Sequence, residues 1–343
     1  MRTAVFARNI PLECPIQTNT HNYAMQFRAA GWQTFWLPKP ATPWNFWRLP
    51  RLEPERYGIR QHRLAFLFNF GGRQVNSHKL LWNWFPYFLL WPGRRAMRAA
   101  GLLHPDIFFS GSLETASLYK LLKPKIVVYN AHDAFSLYPE APRSIRAIEA
   151  EVVSKATLVV TTAETTRGLL IKQYNVAPQR VLNLGHGVDN ARYADVIEAT
   201  RLRQIPRPRA VYLGTLDMQD IDLTAETVCA LPQVSFLFIG PGGQRLRTRL
   251  QDCRAGNAYF LGPVMQDELP GYLSFCDVGL VAYDIRLRDS RLYGSNPMKR
   301  YDYAAAGLQT VSVDLHEYRK SPSPMYVAQS ADEFVECIRT AIR

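Results

Sequence analysis

The chain has no apolar run of 18 or more residues, no Cys-x-x-Cys pair, and almost no acid in its first third. The first absence leaves no candidate transmembrane helix. The five cysteines, Cys14, Cys229, Cys253, Cys276 and Cys337, are widely spaced. That spacing argues against a disulfide framework or a structural zinc site and fits a reducing compartment. Cys229 and Cys276 fall in apolar helical patterns and are expected in the core. The opening run Thr3-Ala4-Val5-Phe6-Ala7 is too short for a cleavable leader. Neither G-x-x-x-x-G-K-[ST] nor G-x-G-x-x-G occurs, so P-loop ATPase and dinucleotide oxidoreductase readings lose support.

What is present is a globular composition. The chain has 343 residues, 47% of them hydrophobic, enough for two medium domains with a full core each. The charge is lopsided: residues 1–100 hold 14 Lys or Arg against three acids, so nearly all of the formal +12 lies there. A basic field of that size draws nucleic acid, anionic lipid or an anionic substrate. No zinc-finger, homeodomain or RNP-like pattern is visible, and nucleic acid is not an expected partner.

All seven tryptophans fall in two aromatic-basic stretches. Trp32, Trp36, Trp44 and Trp47 precede Arg48 and Arg51; Trp82, Trp84 and Trp91 lie in His78–Ala100, with Arg94, Arg95 and Arg98 behind them. Amphipathic rings beside arginines suit a monotopic contact with anionic lipid. A buried helix kinked at Pro86 is the other reading.

Short apolar runs alternate with helical patterns throughout. Strands are expected at Thr3–Ala7, Gln33–Leu37, Leu64–Asn69, Asp106–Ser110, Ile126–Asn130, Leu158–Thr162 and Val181–Gly185. After a polar, basic stretch the pattern restarts at Ala210–Leu213. Near-continuous apolar strands between helices imply parallel sheets covered on both faces, hence an α/β chain of doubly wound domains. The expected organisation is a first domain over 1–189, a linker over 190–208 and a second domain over 209–343.

Three sets of residues stand where chemistry is expected. Val127 to Asp133 carries a His132-Asp133 pair just past a strand end, where an imidazole or carboxylate can move a proton; the plain alternative is a loop Asp bonding turn amides. Glycine loops at Gly214-Thr215, Gly240 and Gly262–Val264 follow later strands, either near a ligand or as ordinary turns. Gly294 to Gly307 reads as a loop, a helix over Pro297–Ala306 capped by Asn296, and a left-handed glycine exit. A helix start is a ready anion site, and Lys299 sits in its first turn; a solvated lysine on a surface helix is the alternative.

The run Asn296-Pro297-x-Lys299-x-Tyr301-Asp302-Tyr303-x-x-Ala306-Gly307, followed by Val311, resembles the nucleotide-sugar helix of family 4-like GT-B glycosyltransferases, including a teichuronic-acid-type group. Val127 to Asp133, Gly187-Val188-Asp189, Tyr212 to Leu216, and Phe260 to Val264 with Leu269-Pro270 are similar to further stretches of that family. The resemblance covers residues 125–315; before 125 only the alternation of elements supports it. It implies two Rossmann-like domains facing across a cleft, with the donor in the second. It further implies a nucleotide-diphosphate sugar (UDP- or GDP-sugar) donor and transfer of a hexosyl or glucuronosyl group. The acceptor it implies is a glycan linked to polyprenyl diphosphate, at the cytoplasmic face of a bacterial inner membrane, in exopolysaccharide or cell-envelope synthesis. Donor contacts are expected from Gly214, Thr215, Gly240, Val264, Arg291, Asn296, Lys299, Asp302 and Tyr303, and proton or sugar chemistry from His132 and Asp133. No metal is expected, since Lys299, an arginine of 286–291 and helix amides would meet the leaving-group charge. The family's retaining members carry an acid at the position of Gly294, so its absence leaves the stereochemical outcome open. A nucleotide-sugar epimerase and a non-catalytic scaffold on the same fold remain the rivals.

Overall fold

The computed structural model describes the whole chain except residues 1, 15, 16, 44, 50, 68–77, 90 and 321–323. Two compact units divide at Gly185 and His186.

In the first unit the strands are β1 (Thr3–Ala7), β2 (Gln33–Leu37), β3 (Glu55–Arg56), β4 (Ile59–Gln61), β5 (Ile107–Ser110), β6 (Ile126–Ala131), β7 (Leu158–Thr161) and β8 (Val181–Asn183). Their order is β3-β4-β2-β1-β5-β6-β7-β8, parallel except for the β3–β4 hairpin. The central strands bury nearly every residue, because helices cover both faces and leave no side for polar alternation. The helices are α1 (Asn19–Ala29), α2 (Lys79–Trp84), α3 (Trp91–Ala99), α4 (Leu113–Ala116), α5 (Tyr119–Leu122), α6 (Ile145–Lys155) and α7 (Glu164–Tyr174). Between β5 and β6 the chain forms two short helices, α4 and α5, in place of one continuous one. The strand expected at Leu64–Asn69 reduces to isolated bridges at Ala65 and Phe66, and its last two residues lie outside the described ones.

The second unit holds β9 (Arg209–Leu213), β10 (Ser235–Ile239), β11 (Ala258–Gly262), β12 (Val278–Val281), β13 (Gln309–Val313) and β14 (Tyr326–Ala328). Its helices are α8 (Ile221–Ala230), α9 (Gln244–Asp252), α10 (Leu269–Leu273), α11 (Lys299–Ala305) and α12 (Ala331–Ile342). The sheet is wholly parallel in the order β11-β10-β9-β12-β13-β14. Renumbered from β9, that order is 3-2-1-4-5-6, the doubly wound dinucleotide-type arrangement.

Residues 190–208, expected to link the domains, are instead built into the second unit. Leu202 and Ile205 are buried in its core. Arg209 donates to Glu198 at 2.7 Å and to the carbonyls of Leu202 and Ile205, while Arg201 donates to the Leu261 carbonyl. The stretch looks like a linker in sequence because its charges are many; in three dimensions several are spent on backbone carbonyls and on the ion pairs Arg192–Asp267, Glu198–Arg209 and Arg207–Asp277. Cys276 is buried, but Cys229 is exposed near the end of α8, contrary to the core position its apolar neighbours suggest.

The aromatic-basic region is divided between core and surface. Trp36 and Trp82 are fully buried, donating to the carbonyls of Ile10 and Leu113 at 2.8 and 2.7 Å. Leu80, Trp84 and Tyr87 face solvent, each more than half exposed, as does Trp47. Trp44 and the side chain of Trp91 lie outside the described residues. Among the described residues no helix is long and apolar enough to cross a membrane.

Gly240 shows why the second sheet needs glycine at a strand exit. Its φ is +144°, and a Cβ there would lie 1.9 Å from the Gly214 carbonyl oxygen. Gly240→Ala is therefore expected to lower stability by about 3 kcal/mol, read as a drop in the urea midpoint at unchanged slope; an unaltered midpoint would contradict the contact.

Candidate functional site

In a doubly wound sheet a crevice opens beyond the carboxyl ends of the strands where the strand order reverses. In the second unit that point lies between β9 and β12. Lys299, first residue of α11, reaches it: its Nζ is 3.7 Å from the ring centre of Tyr212 on β9 and 4.5 Å from that of Tyr283, just past β12. Lys299 is 7% exposed, and no carboxylate among the described residues pairs with it. Burial alone pushes its ammonium well below the usual lysine range. Two ring faces offset part of that desolvation; an anion would offset far more. A Cβ on Gly214 would sit 3.5 Å from Nζ, so the glycine loop borders the cation directly. The solvated-lysine alternative is excluded.

Asp302, three residues along α11, is also buried and accepts a 3.0 Å hydrogen bond from the Tyr193 hydroxyl. Desolvation raises its carboxyl to about 6, against the pull of Tyr193 and Arg192. Thr215 is exposed at the loop surface, and its carbonyl accepts from the Tyr212 hydroxyl at 3.4 Å.

Several expected contacts sit differently. Asn296 does not cap α11, which begins after Met298 with no side-chain cap; its amide instead donates to the Tyr301 hydroxyl at 3.1 Å. Arg300 donates to the same hydroxyl at 2.9 Å. Pro297 and Met298 precede the helix, their carbonyls accepting from Arg300 N at 3.3 Å and Tyr301 N at 2.9 Å. Tyr303 is wholly buried: its hydroxyl accepts from Leu213 N at 2.9 Å and lies 3.2 Å from the carbonyls of Val211 and Leu280. Its role is to pin α11 onto β9 and β12, not to touch a ligand. The Val264 side chain is likewise core. Arg286 is paired with Asp284 and Arg288 with Asp314, while Arg291 lines an open groove beside Asp217 and Met218.

In the first unit the corresponding point lies between β1 and β5. Arg8 follows β1, Gly111 follows β5, and His132-Asp133 follows β6. Arg8 donates to the Gly111 carbonyl, and its Nη2 is 3.2 Å from His132 Nε2. Asp133 Oδ2 is 3.3 Å from the same nitrogen. Burial first, and the Arg8 charge second, hold His132 well below the ordinary histidine range. The ring is neutral near pH 7, which leaves Asp133 as the group of this trio suited to accept a proton. Behind them Asn130 is fixed by reciprocal amide bonds to Asn19 of α1 at 3.1 and 3.3 Å. Arg8, Tyr193, Tyr283 and Arg300 were not singled out by motif; Arg8 alone carried a usable signal, the first residue past an apolar strand.

The raised Asp302 carboxyl has a consequence for stability. Protons bind the folded state more tightly between the unfolded value of about 4 and the folded value of about 6, so stability falls as pH rises through that window. Asp302→Asn is expected to remove that fall, of up to about 3 kcal/mol, in urea melts at pH 4 and pH 7.5; the same pH slope in both proteins would refute the burial argument.

With this geometry in place, similarity to known proteins becomes informative. The profile of Glycosyltransferase Family 4 matches residues 17–192. TuaH of Bacillus subtilis (strain 168), named as a teichuronic acid biosynthesis glycosyltransferase, is 20% identical over 185 residues; the match covers 52% of this chain and 46% of the relative, so the chain spans less than half of that relative's length. Alr3699/HepE of Anabaena, solved with UDP and glucose, aligns over 100% of this chain and 90% of its own at TM-score 0.69 and 13% identity. WaaG, a glycosyltransferase involved in lipopolysaccharide biosynthesis, aligns over 99% and 90% at TM-score 0.66 and 13% identity. A chain described as a UDP-N-acetylglucosamine 2-epimerase, from Listeria monocytogenes, aligns over 99% and 87% at TM-score 0.62 and 9% identity. At such identities the structural likeness establishes the fold alone. Half of the chain matches the family profile, and both units have the parallel sheets of the GT-B fold: the protein belongs to Glycosyltransferase Family 4.

Proposed function

We propose that the protein transfers a sugar from a nucleoside diphosphate sugar to an acceptor hydroxyl. One observation carries the reading: a desolvated lysine without a counter-carboxylate stands at the strand-order reversal of the second sheet, beside a glycine loop. A diphosphate has the charge that Lys299 lacks, and stabilising that charge as the sugar departs is the main catalytic requirement of such a transfer. Gly214, Thr215 and Gly240 offer backbone to the phosphates, and Asp302 offers an acceptor to a ribose or sugar hydroxyl. Asn296 and Arg291 stand next to that set on the loop before α11. UDP in the HepE complexes supports a uridine donor ahead of a guanosine one. The transferred group is a hexose or hexuronic acid. In the first unit Asp133 takes the acceptor proton while neutral His132, held by Arg8, orients the hydroxyl. The epimerase rival requires acids on both sides of the anomeric carbon, whereas the family profile matched over residues 17–192 is that of a glycosyltransferase.

The acceptor is proposed to be a polyprenyl-diphosphate-linked glycan at the cytoplasmic face of the inner membrane, in exopolysaccharide or envelope synthesis. Exposed Leu80, Trp84 and Tyr87, with Arg94 and Arg95 exposed on the following helix, support peripheral docking on anionic lipid.

Binding of UDP by Lys299→Met is expected to weaken on the order of 30-fold or more. In the native protein, calorimetry in buffers of different ionisation enthalpy is expected to show proton uptake as the diphosphate recharges Lys299; binding without uptake would oppose the proposal. Asp133→Asn is expected to lower kcat by about 100-fold or more with UDP affinity unchanged, and retained turnover would remove the residue from the mechanism. Vesicles containing phosphatidylglycerol are expected to float the native protein but not Trp84→Ser/Tyr87→Ser; equal flotation, or none for the native protein, would refute the docking surface.

A further inference from the structure

Helices α8 and α9 lie side by side on the second sheet, sharing a core of Ala225, Val228, Leu246 and Leu250. Polar contacts run along their exposed seam. Asp222 on α8 meets Arg249 on α9 at 3.5 Å, and the Arg249 guanidinium reaches on to Cys253 Sγ at 3.4 Å. Four residues past Cys253, the Asn257 amide donates to the carbonyls of Val228, Leu231 and Val234 at 2.9 to 3.1 Å. The chain leaving α9 is thereby fastened to the end of α8, one residue from Cys229. Cys229 is seven residues after Asp222, two turns along the same helix face. Its thiol lies within hydrogen-bonding reach of Cys253, and both residues are exposed. Of the other cysteines Cys276 is buried, and Cys14 belongs to the first unit.

We propose that Cys229 and Cys253 are a reversible dithiol–disulfide site, oxidised by hydrogen peroxide and reset by a small dithiol. Cys253 is assigned as the attacking sulfur because the Arg249 guanidinium contacts it directly, at 3.4 Å. It attacks a peroxide oxygen, the O–O bond breaks, and Cys253 becomes a sulfenic acid while hydroxide leaves and is protonated to water. The Cys229 sulfur then attacks the sulfenic sulfur, the S–O bond breaks, and a second water leaves with the Cys229 proton. Two thiols and one hydrogen peroxide give one disulfide and two waters. Partial burial and the neighbouring sulfur raise the Cys229 thiol above its ordinary range, which suits the resolving position and not the attacking one. The bond would join the carboxyl ends of two helices already held together by Asn257.

The test uses the full chain, fully reduced, exposed to dilute hydrogen peroxide, then alkylated and analysed by intact and peptide mass. The expected product is a monomer about 2 Da lighter, with Cys229 and Cys253 in one linked peptide pair, both restored by dithiothreitol. Cys229→Ser is expected to leave a sulfenic acid at Cys253 that dimedone traps, and Cys253→Ser to abolish the fast reaction. Over-oxidation of Cys253 with Cys229 still alkylatable, a disulfide between two chains, or equal reactivity of all exposed thiols would overturn the assignment. Circular dichroism of both serine variants separates a misfolded protein from a missing thiol. None of these readouts depends on transferase activity.

Discussion

A lysine removed from water without a carboxylate to meet it is the constraint around which the second unit is arranged. Burying an ammonium is costly, and a folded chain tolerates it only where rings, backbone or a ligand take over the role of water. Here Tyr212 and Tyr283 supply two ring faces, and Tyr303 nails the helix to the sheet so that the lysine cannot swing out. Gly240 abuts the Gly214 loop so closely that no side chain fits between them. Each of these features keeps the Lys299 amine fixed and dry, an environment in which an arriving anion restores the ammonium and is held strongly.

The first unit solves a different problem with the same sheet geometry. Arg8, Gly111, His132 and Asp133 all follow the carboxyl ends of β1, β5 and β6, three adjacent parallel strands. A guanidinium against an imidazole would be repulsive if the ring were charged, so the pair enforces the neutral form. A neutral ring 3.3 Å from a carboxylate is the arrangement on which the proposed proton transfer rests. The His-Asp dipeptide read in isolation leaves either group open as the proton acceptor.

The family profile covers the first unit, whereas the donor helix lies outside the matched residues. Support for the donor site is accordingly physical: burial, charge and the β9/β12 reversal. The thiol pair on α8 and α9 lies on the seam between these helices, fastened by Asn257 and away from the core position that the Cys229 pattern suggested.

Much of the fold was legible in the chain. Apolar runs such as those of β1, β2 and β10 predict buried parallel strands because such strands show no polar face, and glycines such as Gly214 and Gly240 at strand ends and Gly307 at a helix end mark the turns that need unusual backbone angles. The pattern around Asn296, Lys299 and Gly307 located helix α11 and its lysine, though the helix begins at Lys299 and not at Pro297. What sequence could not supply was pairing at a distance. Arg8 meets His132 across 124 positions, Tyr193 meets Asp302 across 109, and residues 190–208 turn from apparent linker to core by anchoring on Arg209 and Leu261. Local pattern sets which face of an element is apolar; only folding decides which charged group stands opposite, and it is that opposition, through desolvation and Coulomb interaction, that sets each group's protonation and hence its chemistry.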